Sequence, residues 1–257
     1  MDVKGYKFCA LILAAGKGVR MKSDWAKVLH VLEGKPLLQY SLAAARSAGA
    51  EKIIVIIGHQ AQRVRDEFAD AGVIFVEQKP QLGTGHAVLQ ANDLLAAYQG
   101  LTVILCGDVP LLRPATIIGL VENHIAARAQ ITVMTTCPLD PEGYGRVLKD
   151  AAGNILKIVE QRDATAAEKK VGEINTGIYC VNTPYLFTAL KKVNNNNDQK
   201  EYYLTDIVEI ARQDSLTVGS YLVSDYVEVM GINTGEQLEQ AVNYLAAAKK
   251  VSGHPVS

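Results

Sequence analysis

The chain has 257 residues, of which 49% are hydrophobic and 21% charged, a composition typical of a globular protein with one large domain. Its 26 basic and 27 acidic residues give a net charge of −1, which argues against proteins that bind nucleic acid or a membrane surface through a basic excess. No apolar run reaches the roughly 18 residues of a membrane span. The N-terminus has no secretory signal pattern, so we expect a soluble, cytoplasmic protein.

The first half of the chain alternates short β-branched runs with helical patterns. The sequence predicts strands at residues 8–13, 52–57, 73–76 and 102–106. It predicts helices at residues 37–47, 60–69, 87–97 and 115–128. This order is typical of a parallel sheet with helices on both faces.

From about residue 131 the pattern changes, because strands follow one another with little helix between them. The predicted strands are 131–136, 145–148, 155–160 and 174–181, followed by helices at 184–191, 205–212 and 234–249. We therefore expect antiparallel or mixed strands to join the sheet, giving an α/β fold with a mixed, mostly parallel sheet. Residues 1–233 are interpreted as one domain and residues 234–257 as a C-terminal helix and tail.

Polar, glycine-bearing loops follow three of the predicted strands. They are residues 16–22, residues 78–85 and the pair Gly107 and Asp108. Open α/β sheets bind ligands outside the carboxyl ends of their strands, so we expect these loops to converge on one edge.

The first of these loops predicts a phosphate site. Gly16 and Gly18 allow the backbone N–H groups to approach anionic oxygens. The cations Lys17, Arg20, Lys22 and Lys27 fall within eleven residues and favour a polyphosphate. The loop matches neither a dinucleotide fingerprint nor a Walker loop, and a plain turn with solvated lysines is the alternative.

Asp108 follows an apolar strand and a glycine, where a carboxylate is well placed to hold Mg²⁺ together with substrate phosphates. A helix N-cap is the alternative interpretation. Attack by a sugar phosphate on the α-phosphorus of a nucleoside triphosphate needs no general base, because the nucleophile is already an anion near pH 7. Consistent with such chemistry, we interpret His30, His59, His86 and His124 as structural, and no Ser-His-Asp or Cys-His set is evident.

Nine motifs, taken together, resemble the uridylyltransferase domain of the bacterial N-acetylglucosamine-1-phosphate uridylyltransferases. In chain order they are LAAGKGVRMK from Leu13, KVLH from Lys27, QLGTGHA from Gln81, GDVPL from Gly107, GYGRV from Gly143, IVEQRDA from Ile158, EINTGIY from Glu173, EYYLTDI from Glu201 and GIN from Gly231. The resemblance runs from about residue 8 to 240. It implies a Rossmann-like nucleotide-diphospho-sugar transferase fold. It also implies conversion of UTP and N-acetylglucosamine 1-phosphate to UDP-N-acetylglucosamine and pyrophosphate.

The resemblance also implies roles for individual residues. Arg20, Lys27 and Asp108 would be catalytic, with Arg20 and Lys27 on the phosphates, and Asp108 and Asn233 would ligate Mg²⁺. The remaining substrate contacts would be Leu13, Ala14, Ala15 and Gly16 for the nucleotide, Gln78, Gly83 and Thr84 for uracil, and Gly145, Glu160 and Asn175 for the sugar, with Gly107 as a further substrate-binding residue.

Three positions depart from the family pattern, in which Thr, Pro and an aromatic residue usually stand where this chain has Val19, Ala26 and Cys106. Their effect on activity is open. Two alternatives therefore remain: the same chemistry on another sugar 1-phosphate such as glucose 1-phosphate, and a UDP-sugar-binding protein with little catalysis. The left-handed β-helix that follows this domain in the family has no counterpart in the sequence, so neither acetyltransferase activity nor an oligomeric state is implied.

Overall fold

The computed structural model describes residues 7–18, 21 and 23–251, with side chains up to residue 247. The strands are β1 (Phe8–Ala14), β2 (Val31–Leu32), β3 (Lys35–Pro36), β4 (Lys52–Ile57), β5 (Ile74–Glu77), β6 (Leu101–Cys106), β7 (Ile131–Thr136), β8 (Arg146–Lys149), β9 (Ile155–Val159), β10 (Ile174–Asn182) and β11 (Val218–Leu222). The helices are α1 (Leu37–Ser47), α2 (Ala61–Glu67), α3 (Thr84–Leu89), α4 (Asn92–Leu95), α5 (Pro114–Ala126), α6 (Thr183–Leu190), α7 (Asp206–Gln213) and α8 (Gly235–Val251). Short 3₁₀ turns lie at Lys27–Leu29, Glu168–Lys170 and Tyr226–Val229.

The main sheet has the strand order β11-β7-β10-β6-β1-β4-β5. Strands β6, β1, β4 and β5 pair in parallel, as do β11 and β7. Strand β10 is antiparallel to both β6 and β7, and β8 and β9 extend the sheet from one end of β10. The predicted mixed, mostly parallel sheet is confirmed.

Helices cover both faces of this sheet because its central strands are apolar on both sides. In β1, Phe8, Ala10 and Ile12 face a core formed with α1, α2 and α5. The alternate residues Cys9 and Leu11 face a second core formed with α3, α4, α6 and α7. Burial of one such Leu or Ile side chain contributes about 1.5–3 kcal/mol, so the two faces together stabilise a rigid central sheet.

The structure differs from the predicted elements in three places. The predicted helix at 87–97 is wrong: α3 begins three residues earlier, where Gly83 turns the chain with φ 107°, and the helix is interrupted before α4. The hairpin of β2 and β3 was not predicted, because it spans only two residues on each side of a turn. Strand β11 was also missed, since Gly219 and Ser220 dilute its β-branched pattern.

The C-terminal helix α8 lies close to its predicted position. Its Ala241 is buried in a small cluster with Leu37 of α1 and Leu111. Within the described residues, none of the helices combines the length and the apolar character that crossing a membrane would require. The division of the chain after residue 233 stays a prediction.

Candidate active site

The three predicted loops meet at the carboxyl ends of β1, β5 and β6. The backbone N–H of Gly107 donates to the Leu13 carbonyl at 2.9 Å, which joins the ends of β6 and β1. The side-chain amide of Gln81 donates to the Ala15 carbonyl at 2.7 Å, which joins the loop after β5 to the loop after β1. Parallel pairing of these strands therefore places all three loops at one edge of the sheet, as expected.

A cleft of about 450 Å³ opens between the first two loops. Six of the predicted substrate residues line it, together with Lys17, Gln81, Ala87 and Glu201; the six are Leu13, Ala15, Gly16, Gln78, Gly83 and Thr84. Ala14 differs, since its side chain is buried in the core on the opposite face of the sheet. Only the backbone of Ala14 is therefore available to a ligand in this cleft.

Glycine is required at position 83 of the cleft wall. Its φ is 107°, and a Cβ atom there would lie 2.7 Å from the carbonyl oxygen and 2.8 Å from the nitrogen of Tyr202. Tyr202 approaches this closely because its N–H donates to the Leu82 carbonyl and its own carbonyl accepts from Gly85, both at 2.8 Å. The segment around Tyr202 thus braces the wall of the cleft from behind.

Part of the predicted phosphate loop lies outside the described residues. This applies to Val19 and to Lys22, and also to Arg20, whose catalytic role stays a prediction. Gly18 is described, with φ 64°, and a Cβ atom there would lie 2.6 Å from Cβ of Lys27. The close packing of this glycine against Lys27 helps to set the position of the lysine stem.

Lys27, Asp108 and Asn233 form a charged cluster beside the loops. The Lys27 ammonium forms an ion pair with Oδ2 of Asp108 and donates to Oδ1 of Asn233 at 2.6 Å. The Lys27 and Asp108 side chains are 15% and 17% exposed, so the pair is largely shielded from water. Lys27 and Asn233 are 206 positions apart in the sequence. Asn233 is held near Asp108 because the N–H of the preceding residue, Ile232, donates to the Asp108 carbonyl at 2.9 Å.

The orientation of Asn233 determines which atom it offers to a cation. Its Nδ2 donates to the Gly231 carbonyl at 2.9 Å, so Oδ1 is the atom directed at Lys27. A carboxylate oxygen and an amide oxygen therefore converge on one cationic position. Hard oxygen ligands of this kind suit Mg²⁺, which takes one or two carboxylates and completes its shell with water and substrate phosphates.

The predicted sugar-binding residues come together at the start of β8 (Gly145), the end of β9 (Glu160) and in β10 (Asn175). The Asn175 N–H donates to the Gly145 carbonyl at 2.9 Å, and a Cβ atom on Gly145 would lie 3.4 Å from Oε2 of Glu160. Asn175 Oδ1 accepts the Gly177 N–H at 3.0 Å, which leaves its Nδ2 as the donor end. The Asn175 backbone and the Glu160 carboxylate thus both lie next to Gly145.

Burial raises the pKa of Glu160, and the Thr205 hydroxyl partly opposes this by donating to Oε1 at 3.2 Å. The negative charges of Asp163 and Glu201 raise the pKa further. Thr205 is itself 4% exposed. It is therefore the group that fixes one carboxylate oxygen of Glu160 and favours its ionised form.

Two of the three departures from the family pattern are visible. Ala26 is fully buried with φ −54°, and its N–H donates to Oε1 of Gln60 at 2.9 Å, a bond that a proline could not make. Cys106 lies with Sγ 3.5 Å from the Gly177 carbonyl, and burial raises the pKa of its thiol to about 12. The thiol is therefore protonated, and it links the end of β6 to Gly177 of β10.

The sequence predictions missed several side chains that hold the site together. Gln81 ties the two cleft loops, Thr205 holds Glu160, and His86 contacts Gln78. All three lie inside the recognised motifs QLGTGHA and EYYLTDI, so the motifs contained the signal. The hydrogen-bond partner of each side chain could not be predicted from the sequence, because the partner comes from another part of the fold.

Known proteins resemble this chain in both sequence and fold. A family model described as a MobA-like NTP transferase domain matches residues 10–170. The bifunctional protein GlmU of Geotalea daltonii is 48% identical over 236 residues, which are 91% of this chain and 52% of that protein. GlmU of Pelotomaculum thermopropionicum is 47% identical, with 92% of this chain and 51% of that protein covered.

The chain thus spans about half the length of these curated relatives. Among solved structures, a UDP-glucose pyrophosphorylase complexed with UDP-glucose superposes with a TM-score of 0.73. It is 19% identical, and the match covers 95% of this chain and 99% of that one. At this identity the likeness shows the fold, and the expected nucleotide-diphospho-sugar transferase fold is confirmed.

Proposed function

Because the chain belongs to the MobA-like NTP transferase family, we propose that it transfers a uridylyl group from UTP to N-acetylglucosamine 1-phosphate. The products are UDP-N-acetylglucosamine and pyrophosphate. The observation that carries the proposal is that the glycine-lined cleft and the cluster of Lys27, Asp108 and Asn233 lie at the same edge of the sheet. The GlmU relatives support the choice of nucleotide and sugar.

The geometry suits nucleotidyl transfer because it supplies positioning and charge without a general base. The sugar phosphate carries its own negative oxygen, since the second pKa of a phosphate is about 6. The Lys27 ammonium is placed to neutralise phosphate oxygens, and the loop at Gly16 offers backbone N–H groups to the nucleotide. These residues bind and align two anions that would otherwise repel each other.

We also propose a magnesium site at Asp108 and Asn233. Their converging oxygens, Oδ2 and Oδ1, support it. Bound there, Mg²⁺ would act as a Lewis acid that screens the phosphate charges. Lys27 shares this position and is proposed to turn to the substrate phosphates, with Arg20 as a second cation on them.

The sugar would lie against Gly145, Glu160 and Asn175. Ring hydroxyls are donors, and Glu160 Oε2 lies next to the open space that Gly145 leaves. The Asn175 amide nitrogen is a donor that suits the carbonyl oxygen of an N-acetyl group. A cytoplasmic location is proposed from the sequence alone.

A substrate panel tests the proposed function. We expect pyrophosphate release with UTP and N-acetylglucosamine 1-phosphate, dependent on Mg²⁺, to exceed that of every other pair of nucleoside triphosphate and sugar phosphate. Glucose 1-phosphate, glucosamine 1-phosphate and galactose 1-phosphate are the matched acceptors, and CTP, ATP and GTP the matched donors. Faster turnover of another pair contradicts the proposal, as does UDP-sugar binding without any turnover.

Replacing Thr205 with valine is expected to weaken sugar-phosphate binding selectively. Valine keeps the shape of threonine but cannot donate to Glu160, and a hydrogen bond to a charged group contributes about 1.5–3 kcal/mol. We therefore expect about a tenfold rise in KM for the sugar phosphate and little change in KM for UTP. Steady-state kinetics with each substrate varied in turn measures this split.

The Thr205→Val variant should also change how KM for the sugar phosphate depends on pH. The Thr205 hydroxyl lowers the pKa of Glu160, so its loss raises that pKa above the already raised value. A larger fraction of Glu160 is then protonated at pH 6 than in the parent protein. The rise in KM should be larger at pH 6 than at pH 8, and Thr205→Ser should restore the parent value. The acidic groups Asp163, Glu201 and Asp206 surround Glu160 in all three proteins. Burial raises the pKa of Asp206 to about 6, so this group also titrates in the tested range, and the variants are compared with the parent at each pH to remove its effect. An equal rise in both KM values would instead indicate a general loss of structure.

A further inference from the structure

Gln78 lies at the end of β5 in the wall of the cleft and is 4% exposed. Its Nε2 lies 2.9 Å from the Gly83 carbonyl oxygen. A carbonyl oxygen can only accept, so the nitrogen of the Gln78 amide must face Gly83. The backbone of the cleft wall thereby sets one of the two possible orientations of this amide.

His86 accepts a hydrogen bond from the second hydrogen of Gln78 Nε2. Its Nδ1 lies 3.0 Å from Gln78 Nε2, and an amide nitrogen donates but does not accept. A neutral imidazole has one accepting nitrogen, and Gln90 Nε2, which donates to the His86 carbonyl at 3.0 Å, faces the other ring nitrogen at 3.2 Å. We assign the acceptor to Nδ1, because its contact is the shorter one and its partner Gln78 is held in place by Gly83, and the imidazole proton then lies on Nε2. Burial lowers the pKa of His86, which keeps the ring neutral near pH 7 and preserves this acceptor.

The consequence is that Gln78 has only an acceptor left to offer. Both of its N–H groups are used by Gly83 and His86, and among the described residues nothing donates to its Oε1. An N–H group of a bound base would pair with Oε1, whereas a ring nitrogen lone pair at the same place would be repelled. Uracil presents N3–H on its pairing edge, and cytosine presents an unprotonated N3.

We propose that His86 is a specificity-determining positioning residue, which holds the Gln78 amide with its oxygen toward the base and so selects uracil over cytosine. The inference rests on the proposed function, because it assumes that the pyrimidine base of the nucleotide binds beside Gln78. It replaces the expectation that His86 is only structural. His86 does not touch the base and acts through Gln78.

Packing of His86 is the competing explanation. The ring lies 6.4 Å from that of Tyr202, and the amide nitrogen Nε2 of Gln90 lies 3.2 Å from His86 Nε2. A packing role would affect all nucleotides alike. A role in orienting Gln78 changes the ratio between uracil and cytosine nucleotides, which makes the two roles separable.

The test measures binding of UDP and of CDP by calorimetry, so that it does not depend on turnover. In His86→Phe the ring volume is kept but the acceptor is lost, and we expect the preference for UDP over CDP to fall about tenfold. His86→Gln supplies an amide oxygen as acceptor and should restore most of the preference. Gln90→Ala removes the other neighbour of the ring and should leave the preference unchanged.

The outcomes separate the two proposals. A parent protein that binds UDP no better than CDP contradicts the proposed uridylyl specificity and this inference with it. A parent protein that prefers UDP, with the same preference in a folded His86→Phe variant, overturns the inference alone. Equal weakening of both nucleotides in His86→Phe assigns the residue to packing and likewise overturns it.

Discussion

Replacing Asp108 with asparagine is expected to lower kcat by about 10²–10³-fold, the loss typical of removing one charge-stabilising group from an active site. The substitution keeps the side-chain shape but removes the negative charge that pairs with Lys27. It also removes the only carboxylate of the proposed magnesium site. Pyrophosphate release measured at saturating substrates over a range of Mg²⁺ concentrations gives the loss directly.

The fold should survive this change. The Asp108 backbone carbonyl still accepts from Ile232, and the isosteric side chain creates no cavity. We expect Tm to fall by no more than about 2–4 °C, which corresponds to about 1 kcal/mol for a chain of this size. Asp70→Asn, at an exposed position after α2, is the matched control and should keep parent activity. Near-parent turnover of Asp108→Asn at saturating Mg²⁺ would remove Asp108 from the catalytic group.

Replacing Lys27 with methionine is expected to reduce kcat by at least about 10²-fold. Methionine keeps the apolar stem that packs against Gly18, so the loss reports on the ammonium group. That group is the one cation in contact with both Asp108 and Asn233 among the described residues. Without it, two incoming phosphates lose a counter-charge held in a partly buried site, where electrostatic interactions are stronger than in water.

Two further variants show whether a loss of activity in Lys27→Met comes from the missing charge at this position. Lys27→Arg keeps the charge but spreads it over a planar group, so it should recover only part of the activity. Lys52→Met removes an exposed lysine at the start of β4, at the opposite end of the strands from the site, and should be silent. Turnover of Lys27→Met within threefold of the parent would show that the lysine serves the fold alone.

The main strands and most helices could be predicted because their signals are local. β1 and β4 are continuous apolar runs, which indicate strands buried on both faces, and α1 and α5 show helical periodicity of several turns. The signal weakens where an element is short or irregular. The hairpin of β2 and β3, the edge strand β11 and the break between α3 and α4 were missed or misplaced for that reason.

The chemistry of the site followed partly from residue types. Glycines and cations after β1 predicted phosphate binding, and an acidic residue after β6 predicted a cation site. The contribution of Asn233 came only through family resemblance. No local pattern marks an asparagine 125 positions after Asp108 as its neighbour, and only the packing of the segment before α8 against the end of β6 brings them together.

The sequence by itself determined the α/β class, the edge of the sheet at which the candidate site lies and the kind of group proposed to bind there. These depend on strand order and residue type, which are written along the chain. The tertiary structure alone decided which atom each polar side chain offers. Gln78 presents its oxygen because Gly83 and His86 take its hydrogens, and Glu160 is oriented by Thr205. Hydrogen-bond direction depends on partners distant in sequence, so it is settled only when the chain has folded.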